Sequence, residues 1–178
     1  MMARAGESGE WVLLTYRMPR EPSTPRISVW RKLRRMGVAQ LGDGIVALPA
    51  DARTREQLEW IAAEVHEAGG AAGVWLARPA SLTEERALAT AMAVARAAEY
   101  TALRADAEAS QALADADRAR ALRRLRAELR RIRRRDFFPP GERDAAVAAV
   151  DRLAGRSRAR HNGTATAGRA ASTRGGTT

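Results

Sequence analysis

From Ala80 to Phe138 the chain contains neither glycine nor proline. Those two residues are the strongest interrupters of a helix, and the residues that fill the interval, chiefly Ala, Arg, Leu and Glu, are the best helix formers. Ser81 followed by Glu84 forms a capping box at the start, where the hydroxyl and the carboxylate satisfy backbone N–H groups reciprocally. Helix is therefore expected almost throughout 81–135. So long a run exceeds what one helix of a globular domain normally spans. Within it RADAEASQALADADRA (104–119) offers little beyond alanine to bury, so a bend or break is expected there. PGERDAAVAAVDRLAG (140–155) reads as a short further helix. The Gly/Ser/Thr-rich segment after it and the first nine residues have nothing to pack and are expected to be disordered.

The first eighty residues are punctuated in the opposite way. WVLLTYRM (11–18) is a strand by its β-branched and aromatic content. Pro19 and Pro22 interrupt it, and Ser23 and Thr24 supply capping side chains before a proline at the first helical position, Pro25. Helix one is expected over 25–36, stopped by Gly37. VAQL and IVAL, separated by Gly42, Asp43 and Gly44, have the composition of a hairpin. Thr54 with Gln57 suggests a capping box for LEWIAAEVHEA, which Gly69 and Gly70 close. AGVWLAR is the fourth strand. The order strand, helix, strand, strand, helix, strand is the ferredoxin-like arrangement. The expected fold class is α+β: a ferredoxin-like βαββαβ domain over 10–80, a helical extension over 81–154, and disordered ends at 1–9 and 155–178.

The formal net charge of +10 is carried by thirty arginines and one lysine, a balance that suits a polyanion such as nucleic acid. Base composition alone could favour arginine, but it does not explain where the arginines cluster. With successive residues about 100° apart around a helix axis, helix one places Val29, Trp30, Leu33 and Met36 on one side, making Trp30 a core anchor. Arg31, Lys32, Arg34 and Arg35 fall on the other, as a solvated face or a phosphate-binding one. Arg26 lies at the helix start near Arg20 across the proline loop. Two guanidinium groups beside free N–H groups suit an oxyanion, and pairing of Arg26 with Glu21 is the alternative.

Helix two buries Leu58, Ile61, Ala62, Val65 and Ala68, while Trp60 points away beside Glu56, Glu64 and Glu67. An outward tryptophan marks a contact surface, filled by the long helix of the same chain or by another molecule. One sheet face, carrying either Trp11 and Leu13 or Val12, Leu14 and Tyr16, likewise requires a cover from the long helix or a second subunit. Between Arg118 and Arg135 ten arginines accompany a single acid, Glu128. Leu122, Leu125, Leu129 and Ile132 recur there at spacings of three and four as a coiled-coil-like seam. Trp60 and these four are the expected interface residues. Arg123, Arg126, Arg130 and Arg133 join Arg20, Arg26, Arg31, Lys32, Arg34 and Arg35 as the expected nucleic-acid or anion contacts.

Catalysis finds no footing. His66 and His161 lack companions at metal-ligand spacing, and no nucleophile elbow, Walker loop or dinucleotide fingerprint is present. Asp43 belongs to a turn. The end of the first strand, where some ferredoxin-like nucleases carry an acid, holds Arg17 and Met18. The absence of cysteine excludes disulfides and thiolate metal sites and fits a cytoplasmic protein. No apolar run of about 18 residues and no signal-peptide core occurs, so no membrane role is expected. The chain reads as a non-enzyme with no cofactor and no metal.

Several spaced motifs then combine. Tyr16-Arg17-Met18-Pro19-Arg20-Glu21-Pro22, Arg26, Val29-Trp30-Arg31-Lys32-Leu33 with Gly37, Leu48-Pro49, Glu56-Gln57 with Trp60, Gly69-Gly70, Trp75 and Arg135-Asp136-Phe137-Phe138-Pro139 together resemble the N-terminal domain of ChrB-type chromate resistance proteins, over about Glu10 to Leu153. The first half also resembles the central ferredoxin-like domain of phenylacetate-type repressors. The resemblance implies a cytoplasmic, chromate-responsive regulator of transcription. It implies as partners DNA, chromate or another oxyanion, and a C-terminal chromate resistance domain that longer members carry and that a separate protein would supply here. The over-long helix, the outward Trp60 and the open sheet face add a second copy of the chain. The alternative function is a protein-interaction or dimerisation module without DNA contact, its Arg-rich helix docked on the acidic side of helix two.

Overall fold

A computed structural model describes residues 9–155. The described residues are α+β, with a four-stranded antiparallel sheet and five helices. In order these are β1 (Trp11–Arg17), α1 (Ser23–Met36), β2 (Ala39–Gly42), β3 (Ile45–Pro49), α2 (Ala52–Glu67), β4 (Ala71–Ala77), α3 (Leu82–Ala109) and α4 (Asp115–Arg133), with α5 over 142–155. Among the described residues two compact units result: 9–95 with Arg135–Phe138, and Arg96–Arg134 with 139–155. The expectations for residues 1–8 and 156–178 lie outside the described residues.

In the first unit the strands run in the order β2-β3-β1-β4. The central strand β1 sets Val12 beside Leu48 and Leu76, and Leu13 beside Ala47 and Trp75. Because side chains alternate across a sheet, Val12, Leu14, Val46 and Leu48 share one face. They are buried with Val29 and Leu33 of α1 and Leu58, Ile61, Ala62 and Val65 of α2. Each such large aliphatic side chain contributes about 1.5–3 kcal/mol when fully removed from water.

The hairpin between β2 and β3 requires its glycine. Gly44 has φ +72°, its carbonyl accepts the Tyr16 N–H at 2.7 Å, and a Cβ there would stand 2.3 Å from the Tyr16 carbonyl oxygen.

The opposite sheet face carries Trp11, Leu13 and Ala47. The first half of α3 covers part of it, with Leu88 and Met92 packed on the same core, and Phe138 stacks on Trp11 with ring centroids 5.9 Å apart. Of the two covers the sequence suggested, the chain's own long helix provides this one. Trp75 stays outside it at 58% exposure, its Nε1–H donating to Thr15 Oγ1 at 3.1 Å.

Three local expectations are corrected. α1 starts at Ser23, two residues before Pro25, with Pro22 at the N-cap position and no side-chain cap. α2 is capped by Asp51 rather than Thr54. The Asp51 carboxylate accepts the Thr54 N–H, and the Thr54 hydroxyl accepts the Asp51 N–H and donates to the Pro49 carbonyl. The chain turns directly after Pro49, so the earlier of two overlapping capping patterns closes first. Finally, Trp30 is no core anchor: it is 48% exposed. Val29 and Leu33 fill the inward line of α1, and Trp30, about 100° further around the axis, lies beyond the edge of that packing.

The expected break in the long helical run falls within the alanine-rich segment. α3 ends at Ala109, a 3-10 turn spans Ser110–Ala112, and extended backbone at Leu113 and Ala114 leads into α4. The second unit packs Tyr100, Leu103 and Ala107 of α3 against Leu122, Leu125, Leu129 and Ile132 of α4 and Ala146, Ala149, Val150 and Leu153 of α5. The seam expected to face another molecule is thus buried by the chain's own helices.

Candidate nucleic-acid interface

The arginines of α4 fall into two sets according to what lies within reach. Arg120 pairs with Asp117 and Arg131 with Glu128, one turn earlier on the same helix. Arg124 reaches Asp106 of α3 at 3.7 Å. Arg118 is buried at 2% exposure, bonded to Asp115 at the start of the helix, where a carboxylate also meets the positive end of the helix dipole.

Arg123, Arg126, Arg130 and Arg133 have no ion pair among the described residues. Three of them are exposed and Arg126 is half-buried. Their spacings of three, four and three residues keep them in one stripe beside the buried leucine seam. At about 1.5 Å per residue the stripe is roughly 15 Å long. A stripe of unneutralised guanidinium groups on a rigid helix presents planar donors that suit phosphate oxygens.

The cations of α1, in the other unit, divide similarly. Lys32 donates to Glu64 Oε2 at 2.5 Å, and the other oxygen of that carboxylate accepts the Ser28 hydroxyl at 3.3 Å. Lys32 is therefore already neutralised, unlike its expected role. The Arg34 guanidinium lies 4.9 Å from the Trp30 ring centroid, which keeps its charge and places it over an aromatic face. Arg31 and Arg35 are exposed, with no ion pair among the described residues. Arg20 and Arg26 do come together: Arg26 Nη1 donates to the Arg20 carbonyl at 3.3 Å, in solvent. The alternative pairing of Arg26 with Glu21 is not formed. Trp60 is outward as expected, at 72% exposure.

No group of three or more His, Asp or Glu side chains suited to a metal ion occurs among the described residues, and no helix there is long and apolar enough to cross a membrane. Tyr16 lies near the end of β1. Burial, and secondarily the Asp43 carboxylate, push its phenol above the ordinary value of 10.0. The pairs Arg120–Asp117 and Arg131–Glu128 carry a sequence signal in their i,i+3 spacing. The pairs Lys32–Glu64 and Arg124–Asp106 join different helices and had no such signal.

A basic-helix α+β protein of this kind has a recognisable relation. The family described as "Protein ChrB, N-terminal" matches residues 26–161, and the chain belongs to that family of ChrB-type chromate resistance proteins. It is 29% identical over 133 residues to Protein ChrB of Cupriavidus metallidurans, a match covering 72% of this chain and 40% of that protein. The chain thus spans well under half the length of the curated relative it matches. No solved structure matches.

Proposed function

We propose that the chain is a chromate-responsive transcriptional regulator that acts through nucleic-acid binding, in the cytoplasm and as an oligomer, with the Arg123, Arg126, Arg130 and Arg133 stripe of α4 as its phosphate-contacting element. The observation that carries the reading is the selective lack of acid partners along that stripe, while Arg120, Arg124 and Arg131 beside it are paired. A charge already balanced by a carboxylate releases fewer counterions on binding phosphate than an unbalanced one. Family membership supplies the chromate connection, and the strand order β2-β3-β1-β4 within a βαββαβ chain supports a ferredoxin-like reading of the sheet unit.

Fluorescence anisotropy with duplex DNA from upstream of the chain's own gene tests the proposal, with unrelated duplex as competitor and chromate added in a second series. Retained preference for the upstream duplex, altered by chromate, is the expected result. Binding that unrelated duplex competes away equally would remove the regulator reading. Absence of any DNA binding would favour the interaction module, for which the exposed carboxylates of Glu56 and Glu67 on α2 offer a basic helix a docking face. If specific binding is present but indifferent to chromate, the sensing belongs to another domain.

A further inference from the structure

Residues of α1 and α2 line a groove of about 500 Å³. Met36 and Ile61 form its apolar floor, and Trp60 stands at its edge, 72% exposed. One lip is basic and the other acidic. On the α1 lip Arg35 is exposed with no ion pair among the described residues, and on the α2 lip Glu56 is likewise exposed and unpaired. Lys32, also on the α1 side, is held by Glu64.

Opposite charges brought into contact within one chain form an ion pair. Here they line the two sides of one apolar groove without meeting. A surface carrying a knob, a hole and one unpaired charge of each sign on opposite lips is complementary to itself under a two-fold rotation, which brings each basic lip against the other acidic lip. Large exposed aromatic side chains next to apolar grooves are the usual energetic centres of such contacts. A nucleic-acid partner fits this groove less well, because Glu56 lines it and Glu67 is exposed on the same helix.

We infer that a second copy of this chain occupies the groove, in an isologous dimer that seats Trp60 of each copy over Met36 and Ile61 of the other and pairs Arg35 of each with Glu56 of the other. This dimer gives the oligomer of the proposed function its interface and rests on that part of the reading. Neither the stripe on α4 nor DNA enters the contact, so failure of the DNA contact leaves it standing.

Sedimentation equilibrium of the full chain without DNA, at concentrations up to roughly 50 µM, where an interface of ordinary size is populated, measures the association directly. The wild type should be a dimer. Trp60→Ala should raise the dimer Kd by about 30-fold or more, the effect of removing a central interface residue. Arg35→Glu and Glu56→Arg should each raise it by at least about tenfold through like-charge contacts. The double variant Arg35→Glu/Glu56→Arg should return to within about threefold of wild type, because the pair is re-formed with its signs exchanged. Recovery in the double variant also excludes misfolding as the cause of the single effects. A monomeric wild type overturns the inference, as does a dimer indifferent to Trp60→Ala, or a double variant no tighter than the weaker single one.

Discussion

Replacing Arg123, Arg126, Arg130 and Arg133 together by glutamine should flatten the salt dependence of DNA binding while leaving the fold intact. Glutamine has nearly the helix propensity of arginine, and the four side chains lie outside the packed seam of Leu122, Leu125, Leu129 and Ile132. The stripe is about 15 Å long at 1.5 Å per residue. Phosphates of one strand are spaced about 3.4 Å along the duplex axis, so roughly four are in reach, and each one neutralised contributes about 0.9 to the slope of log affinity against log salt. The wild-type slope should therefore exceed that of the variant by about two to four units. A companion variant, Arg120→Gln/Arg124→Gln/Arg131→Gln, removes a similar amount of positive charge but takes it from residues paired with Asp117, Asp106 and Glu128. Its slope should fall by less than about one unit, since those guanidinium groups have carboxylates in place of phosphates. The assay is anisotropy of a labelled duplex over a series of salt concentrations, with circular dichroism confirming the helices. Equal flattening in both variants would mean that net charge alone drives binding. No flattening in the first would remove α4 from the DNA contact altogether.

Two further outcomes follow from packing and titration. Leu125, 2% exposed at the centre of the second unit, should on replacement by alanine cost about 2–5 kcal/mol, the range for a cavity left by a buried leucine, read as a lowered urea midpoint. The raised pKa of Tyr16 makes stability fall in alkali. Below the unfolded value of about 10 both states hold the proton and the contribution is complete. As pH rises past it the unfolded chain ionises first, so stability declines until the folded phenol also ionises. Tyr16→Phe should remove that decline in a series of denaturation curves taken upward from pH 9 or so, and an unchanged decline would assign it to other groups.

Much of the architecture was legible because it depends on local chemistry. Strands and helices end where Pro19, Gly37, Pro49 and Gly69-Gly70 stand, and the Ser81–Glu84 capping box forms as its spacing predicts. The buried line of α2 over Leu58, Ile61, Ala62 and Val65 follows from helical period. Where two local patterns competed, local chemistry was ambiguous. Asp51-x-x-Thr54 and Thr54-x-x-Gln57 overlap in one stretch, and the tight exit from β3 selects the first.

What required the tertiary structure was the fate of side chains on boundaries of a pattern. Trp30 lies on the margin of the apolar arc of α1, and whether a margin is core or surface depends on how far the neighbouring sheet extends, which periodicity does not encode. The leucine seam of α4 is apolar whether it meets another chain or its own. Burial by Tyr100, Leu103, Val150 and Leu153 makes it core. Charge followed the same division. The sequence by itself determined that the chain is strongly basic, that its cations concentrate on α1 and in the stretch from Arg118 to Arg135, and that a long helix follows a small sheet, because composition, propensity and period are properties of neighbours along the chain. Only the tertiary structure decided which cations remain unbalanced, since Lys32–Glu64 and Arg124–Asp106 unite residues from different helices. A Coulomb interaction depends on distance in space, and that distance exists only once the helices have packed.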